Sequence, residues 1–212
     1  GRIGVGATLA LYQGLKAGKV SVVAPVTATF GAVTALLSLA SGESLQRTAL
    51  AGIVLVVIGA VLLGVRRREA AEPASASGLG WALVASLAYG VQFWLQGRFA
   101  VPALGGVLPV WLYYLSSTGL LLAAASARRQ PLTLPLRGAA WVLGTGMVAV
   151  GGFLALSLGM ATGEVAIVTV LASLQSGVTV CLAGLYHRER LAWRQWLGLV
   201  ATLLGLMAIH LG

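Results

Sequence analysis

The apolar runs of this sequence restrict its fold more than any other feature. Eight such runs follow one another along the 212 residues, and most are long enough for the helix of about 20 residues that spans a bilayer. They lack the alternation of every second residue that a transmembrane β-strand would show. Only 9% of the residues are charged and 58% are hydrophobic, which leaves too little polar surface for a water-soluble globule. The sequence therefore predicts an all-α integral membrane protein with eight transmembrane helices.

Charged residues, prolines and glycines mark the ends of the predicted helices. The segments cover about residues 3–15, 19–40, 48–65, 78–96, 104–127, 138–161, 164–186 and 193–211. The connection 66–77 has the Arg, Glu, Pro and Ser composition of a solvated linker. It is the longest connection in the chain, and we interpret it as the link between two halves of the protein.

The basic residues lie at the ends of the apolar runs, so the net charge of +9 carries information on topology. No basic surface interleaved with aromatic residues indicates a nucleic-acid partner. If alternate connections are assigned to opposite sides of the membrane, one side has eleven Lys and Arg residues and the other has Arg2, Arg47 and Arg98. The positive-inside rule then places the first side in the cytoplasm and the C-terminus outside.

The sequence contains no group of residues that predicts catalysis or metal binding. Cys181 is the single cysteine, and no nucleophile–base pair, phosphate-binding loop or metal-ligand spacing is present. We therefore expect no enzymatic activity, no cofactor and no metal. The five acidic residues lie at the ends of segments or in linkers. None of the predicted spans thus offers a carboxylate at mid-membrane for proton coupling or for a cationic drug.

An internal repeat divides the chain into two related copies. The pattern E-x-L-x6-G-x6-G occurs twice, 146 residues apart, as Glu43, Leu45, Gly52 and Gly59 and as Glu189, Leu191, Gly198 and Gly205. Upstream of it, residues 9–23 match residues 154–168 at an offset of 145. Five crossings separate equivalent helices, so the copies have opposite orientations in the membrane, as in many secondary transporters. The first copy has three helices and the second has five, which predicts two further helices before Gly1 and ten in the whole protein.

The repeated glycines and glutamates predict packing and capping. The two glycines of each copy lie two turns apart on one helix face, where small residues allow helices to approach closely. This packing joins either the third and eighth segments or two subunits of a homodimer. The four glycines are Gly52, Gly59, Gly198 and Gly205. Glu43 and Glu189 directly precede their helices, where a carboxylate caps free N–H groups and interacts favourably with the helix dipole.

Pro25 lies near the start of the second segment. Because proline cannot donate a hydrogen bond to the helix ladder, we expect a kink or a break at this point. Its counterpart in the second copy is Val170. The two halves are therefore not expected to kink alike.

Two copies of a unit that ends in E-x-L-x6-G-x6-G resemble the EamA-like branch of the drug/metabolite transporter superfamily. The stretch GLGWALVASLAYGVQFWLQGRF, residues 78–99, is also similar to the helix that opens the second half in that family. The resemblance implies ten helices in two inverted five-helix repeats around a central substrate cavity. It divides this chain into the last three helices of the first repeat (1–65), a linker (66–77) and the second repeat (78–212). The chain then starts at the third helix of the family and lacks a pair that would help to line the cavity.

Polar residues inside the predicted spans are the candidates for solute binding, because polar groups in a bilayer are costly. The resemblance places the first, second, fourth, sixth and seventh segments around the cavity. The candidates on these segments are Gln13, Tyr89, Gln92, Trp94 and Gln175. Hydrogen bonding between helices, or an interfacial position for the aromatic residues, explains each of them equally well.

The sequence and the resemblance together predict a secondary transporter in the cell (plasma or inner) membrane. It would move a small, amino-acid-like or similar polar solute by alternating access, with export as the favoured direction. Two alternatives are multidrug efflux within the same superfamily and a non-transporting membrane scaffold or degenerate fragment. The orientation stays open, because the resemblance implies two cytoplasmic termini and the count of basic residues implies the reverse.

Overall fold

A computed structural model describes residues 2–18, 20–64, 76–127, 129, 136–175 and 193–210. Every regular element within these ranges is helical, which confirms the predicted all-α class. The elements are α1 (Arg2–Ala17), α2 (Val20–Ala28), α3 (Phe30–Ala40), α4 (Arg47–Gly64), α5 (Ala76–Leu95), a π-helical turn (Gln96–Ala100), α6 (Val101–Leu104), α7 (Leu108–Ala127), α8 (Leu136–Met160), α9 (Val165–Ser173) and α10 (Trp193–His210).

Three helical stretches in the described part of the chain are long and apolar enough to cross a bilayer. They are Ser77–Leu104, Leu108–Ala127 and Gly138–Met160, and two shorter apolar helices cover Val26–Ala40 and Arg47–Gly59. Many large apolar side chains on these helices point outward. A helix satisfies its own backbone hydrogen bonds and can therefore expose such side chains to lipid. The chain is an all-α membrane protein.

The fourth predicted segment is longer than the sequence indicates. The predicted segment ends at about residue 96, but the helical stretch continues to Leu104. The π-helical turn makes this possible, because the N–H of Val101 bonds to the carbonyl of Gln96, five residues earlier. The wider turn carries the chain into Pro102 without a break. The stretch ends at Gly105, whose φ of +74° favours glycine.

The second predicted segment is interrupted one turn after Pro25, at Thr29. The N–H of Thr29 bonds to the carbonyl of Val26, three residues back, at 3.2 Å, and its ψ is −1°. Leu174, its counterpart at the offset of 145, has a ψ of −12° and also bonds three residues back, to Leu171. The expectation of unlike kinks is therefore wrong. The interruption is a tight turn that both copies share, although the second copy has Val170 where the first has Pro25.

Helices α1 and α5 pack antiparallel through small residues. A Cβ atom at Gly14 would lie 3.4 Å from the backbone of both Gly78 and Ala82. A Cβ atom at Gly78 would lie only 2.7 Å from the Cα of Gly18. The two backbones thus meet at the ends of the helices that adjoin Gly18 and Gly78. Small residues permit this approach, as is usual between membrane helices.

Helices α4 and α10 are also antiparallel, and their contact is reciprocal between the two copies. A Cβ atom at Gly59 would lie 2.7 Å from the carbonyl oxygen of Gly198, and one at Gly205 would lie 2.7 Å from that of Gly52. Gly59 also faces Thr202, while Gly205 faces Val56, which is the residue equivalent to Thr202. We call Gly52, Gly59, Gly198 and Gly205 the glycine seam. Their packing joins the third and eighth predicted segments within one chain.

Candidate functional site

Six aromatic rings, one buried and five half-buried, meet between α3, α5, α7 and α8. On α5, Tyr89 and Phe93 lie one turn apart and therefore on the same face, with their ring centroids 6.1 Å apart. The Phe30 ring lies 5.2 Å from that of Phe93, and the Phe153 ring lies 6.1 Å from it on another side. Tyr113 continues the group at 4.9 Å from Phe153. With Tyr114, 5.4 Å from Tyr113, these residues form what we call the aromatic cluster.

Gln92 lies beside the aromatic cluster and has an unusual environment. Its Oε1 atom is buried and accepts no hydrogen bond from any of the described residues. A Cβ atom at Gly4 would lie 2.5 Å from both Gln92 Oε1 and Tyr113 Cε2, so the amide oxygen and the Tyr113 ring both lie against α1 at this glycine. A buried carbonyl oxygen without a donor costs roughly 1–3 kcal/mol. Such an atom marks a position where a bound molecule or a water would find an acceptor.

Hydroxyl groups attach α1 and the α2–α3 junction to α5. Thr8 Oγ1 donates to the carbonyl of Gly4 at 2.9 Å, so the 2.9 Å bond between Tyr89 OH and Thr8 Oγ1 is donated by the tyrosine. Thr29 Oγ1 lies 2.8 Å from Ser86 Oγ. These bonds hold α5 against both neighbours on the side that faces the aromatic cluster. Hydrogen bonds of this kind between membrane helices contribute about 0.6 kcal/mol each on average.

A cavity of about 530 Å³ opens at one end of the bundle. Its walls come from the end of α3, from the π-helical turn with α6, and from the turn between α8 and α9. Polar or charged lining side chains are those of Ser38, Ser41, Glu43 and Arg98. Its volume lies within the range typical of small-molecule sites, about 300–1,000 Å³.

A buried apolar group forms part of the cavity wall. Met160, Val101 and Val165 line the cavity and form a buried group, with Met160 only 1% exposed. Phe93 of the aromatic cluster packs against the same group. One buried apolar group therefore contacts both the cavity and the aromatic cluster.

The Glu43 carboxylate binds a helix of the other copy. Glu43 Oε1 accepts the N–H of Ala166, in the first turn of α9, at 3.1 Å. The sequence predicts that Glu43 caps the helix that follows it, α4. In the structure Glu43 caps α9 instead, at a residue 123 positions further along the chain. The reason is that α3 packs against α9, which brings the residues after α3 to the free N–H groups at the start of α9.

The predicted solute-binding residues do not form one group. Tyr89 and Gln92 lie together at the aromatic cluster, but Gln13 is exposed on α1 and Gln175 is exposed after the end of α9. Trp94 lies one turn nearer the cavity, where its Nε1 donates to Ser41 Oγ at 2.9 Å. Glu189, the second predicted capping residue, lies outside the described residues. The structure thus brings together two of the five candidates for solute binding.

Sequence reasoning missed the phenylalanines of the aromatic cluster and the cationic cavity residue. Phe30, Phe93 and Phe153 escaped because only polar side chains were considered as candidates. The spacing of Tyr89 and Phe93 on one helix face would have indicated part of the cluster. The sequence predicts that Arg98 lies beyond the end of a helix. Nothing in the sequence indicates the π-helical turn that places Arg98 at the cavity.

Comparison with known proteins agrees with this architecture. Residues 76–211 match the EamA-like transporter family, which is more than half of the chain. The protein therefore belongs to the EamA-like transporter family, as the resemblance predicted. It is a membrane transporter of the drug/metabolite transporter superfamily.

A solved structure shares the fold at low sequence identity. It is described only as the crystal structure of a protein, and it superposes with a TM-score of 0.73 at 20% identity. The match covers 98% of this chain and 72% of that chain. No curated protein matches this sequence. Among the described residues, no group of three or more His, Cys, Asp or Glu side chains could hold a metal ion.

Proposed function

We propose that this protein exports a small polar, amino-acid-like solute across the cell membrane by alternating access, and that the solute binds at Gln92 and Tyr89. The observation that carries the proposal is the buried Gln92 Oε1 atom, which has no donor among the described residues. A buried hydrogen-bond acceptor without a donor is costly unless a bound ligand supplies the donor. The N–H group of an amino-acid-like solute would supply the donor.

The aromatic cluster supports the same location. Ring faces of Phe30, Phe93 and Phe153 offer contact area for the apolar part of a solute, while the Tyr89 hydroxyl adds a second polar group. The described spans contain no acidic residue near this point, which favours a solute without an excess of positive charge over a cationic drug. Solute binding would therefore combine one amide acceptor with aromatic contacts.

The cavity beside Arg98 is the proposed route to this site. The buried group that contains Met160 lines the cavity and packs against Phe93, and this contact would be the closed centre of the route. The positive-inside rule, applied to the basic residues of the chain, favours placing the cavity on the outer side of the membrane. Rocking of one copy against the other would open this contact and close the cavity, as in other inverted-repeat transporters.

Substitution of Gln92 by leucine tests the proposal. The full-length gene product would be reconstituted in liposomes loaded with a panel of labelled L-amino acids, and efflux would be measured. We expect Gln92→Leu to reduce efflux by about tenfold or more, as expected when a buried polar contact to the solute is lost. The melting temperature should stay equal or rise, because an unpaired acceptor is removed. Gln46→Leu, in the exposed loop before α4, should change neither quantity.

The other outcomes favour other functions. Equal efflux by wild type and Gln92→Leu would contradict the assigned site. Efflux of a lipophilic cation, but of no amino acid, would favour multidrug export. Absence of any solute flux from a well-folded protein would favour the scaffold.

A further inference from the structure

The cavity at the end of the bundle has two charged side chains of opposite sign in its wall. Among the described residues that line it, only Glu43 and Arg98 are charged, and the other polar side chains are the hydroxyls of Ser38 and Ser41. The volume of about 530 Å³ is sufficient for a small solute. A solute in this cavity would therefore meet one anionic and one cationic group.

Both charged residues are attached to the start of α9. Glu43 Oε1 accepts the N–H of Ala166 at 3.1 Å. Beside Arg98, a Cβ atom at Gly97 would lie 2.5 Å from Val165 Cγ1, so the π-helical turn packs on the residue next to Ala166. The same end of α9 therefore fixes the Glu43 carboxylate and the backbone that carries Arg98.

The two charges do not pair with each other. No nitrogen atom of Arg98 lies within 4.0 Å of a Glu43 carboxylate oxygen, and the Arg98 side chain has no hydrogen bond or ion pair with any of the described residues. Glu43 uses one oxygen for the N–H of Ala166, and its Oε2 atom has no partner within the described part of the chain. The N–H donors of the guanidinium and one carboxylate oxygen are therefore available to a solute.

This arrangement discriminates between solutes by their charge. An anion would be attracted by Arg98 and repelled by Glu43, and a cation would meet the reverse, so that a solute with a single charge gains little. A zwitterion gains from both groups, because its carboxylate can accept two parallel N–H bonds from a guanidinium while its ammonium group donates to a carboxylate. The separation of Glu43 from Arg98 leaves room for such a molecule between them.

We infer that Glu43 and Arg98 form a binding site for the zwitterionic head group of an α-amino acid, with the solute carboxylate on Arg98 and its ammonium group on Glu43 Oε2. This site lies in the cavity, whereas Gln92 lies beside the aromatic cluster. A solute would occupy the two positions in succession. The inference rests on the proposed function in taking the cavity as part of the route, and it does not depend on binding at Gln92.

Alkylation of a cysteine in the cavity wall tests this site. Ala161 is an exposed lining residue. The parent protein for the test is the full-length gene product with Ala161→Cys and Cys181→Ser, and its reaction with N-ethylmaleimide, a neutral reagent, would be followed. We expect L-alanine to slow this reaction. Propionate, which lacks the ammonium group, and alaninamide, which lacks the carboxylate, should give little or no protection.

Removal of either charge should weaken the protection by L-alanine. In Arg98→Gln, the concentration that gives half-protection should rise about tenfold, as for the loss of a hydrogen bond to a charged group. We expect the same for Glu43→Gln, which keeps an acceptor for the N–H of Ala166 and therefore separates the charge from the helix cap. Arg47→Gln, at the exposed start of α4, is the matched control and should behave like the parent protein.

Three results would overturn the inference. One is the absence of protection by L-alanine in the parent protein. Another is protection by propionate or by alaninamide that equals that of L-alanine, because the site would then bind an anion or a cation. The third is unchanged half-protection in both Arg98→Gln and Glu43→Gln.

The variant Gln92→Leu separates this test from that of the proposed function. Protection of the cysteine at position 161 should persist in Gln92→Leu while efflux falls. Loss of protection in this variant would mean that alanine acts from the position at Gln92, which would also overturn the cavity site. Intact protection together with unchanged efflux would contradict only the assignment of solute binding to Gln92.

Discussion

The contact between α4 and α10 and the contacts of α5 with α1 and α3 hold this protein together by different means. At the glycine seam the backbones touch and no side-chain hydrogen bond crosses between the described residues. Around α5, the hydroxyls of Thr8, Thr29 and Thr34 bond to Tyr89, Ser86 and the carbonyl of Gly90. The seam is nearly symmetric and rests on close backbone contact, while the α5 contacts combine such an approach at Gly14 and Gly78 with hydrogen bonds from hydroxyl groups. Polar groups in a membrane are costly, so their concentration around α5 distinguishes this region from the glycine seam and supports the proposed position of the solute.

The largest expected effect comes from adding one methyl group to the glycine seam. In Gly59→Ala the new Cβ would overlap the backbone of Gly198 and Thr202, which cannot move as a side chain can. We expect a loss of about 1–3 kcal/mol in the free energy of unfolding, as for other overpacked positions. Reversible unfolding in a denaturing detergent would measure it. Gly80→Ala, with open space around it, should be neutral or stabilising, and an equal loss at both positions would contradict close packing at the seam.

A smaller effect is expected from Glu43, which connects the two copies. Glu43→Ala removes the acceptor for the N–H of Ala166 and should cost about 1 kcal/mol, as for other capping residues. Faster hydrogen exchange at the first turn of α9 would locate the loss. Glu43→Gln keeps an acceptor oxygen and should retain part of the stability. If exchange increased at the start of α4 instead, Glu43 would cap its own helix and the placement on α9 would be wrong.

Loss of one hydrogen bond between a hydroxyl group and α5 should lower the stability of the protein less than the substitution of Glu43. Thr34 Oγ1 donates to the carbonyl of Gly90 at 3.0 Å, and Thr34→Val should lower stability by about 0.6 kcal/mol, the average for hydrogen bonds between membrane helices. The melting temperature of the purified protein would measure the change. Thr118→Val, on the exposed part of α7, serves as the matched control. No difference between the two variants would mean that these hydroxyls do not stabilise the α5 contacts.

The smallest effect is expected at Thr202, where the two copies have different residues beside the glycine seam. Thr202 Oγ1 is buried and has no hydrogen-bond partner among the described residues, while its counterpart in the first copy is Val56. Thr202→Val makes the two sides equivalent. Because it removes an unpaired polar group, it should leave stability unchanged or raise it by up to about 1 kcal/mol. A clear loss in the unfolding assay would show that the hydroxyl has a partner and that the seam is not purely apolar.

Much of the fold could be predicted because it follows from local properties of the sequence. Hydrophobic length identified the membrane helices, and the two E-x-L-x6-G-x6-G patterns identified the repeat and the family. The grouping of residues at the candidate site was predicted in part. Tyr89 and Gln92 lie on one face of one helix and were recognised together. Gln13 and Gln175 were chosen as polar residues in segments that the resemblance places around the cavity, but both are exposed in the structure. The helical period shows which residues share a face, and it does not show which face is turned to the interior.

The sequence by itself determined that this chain is a membrane protein with helical spans, inverted copies and glycines at two-turn spacing. Hydropathy, period and repetition are properties of neighbouring residues, so they can be read without the fold. Only the tertiary structure decided that the two glycine pairs meet each other, that Glu43 caps α9, and that six rings come together beside an amide oxygen that has no donor among the described residues. The most distant of these contacts, between Gly52 and Gly205, joins residues 153 positions apart. They depend on how the helices cross, because the crossing determines which faces are close enough to bond.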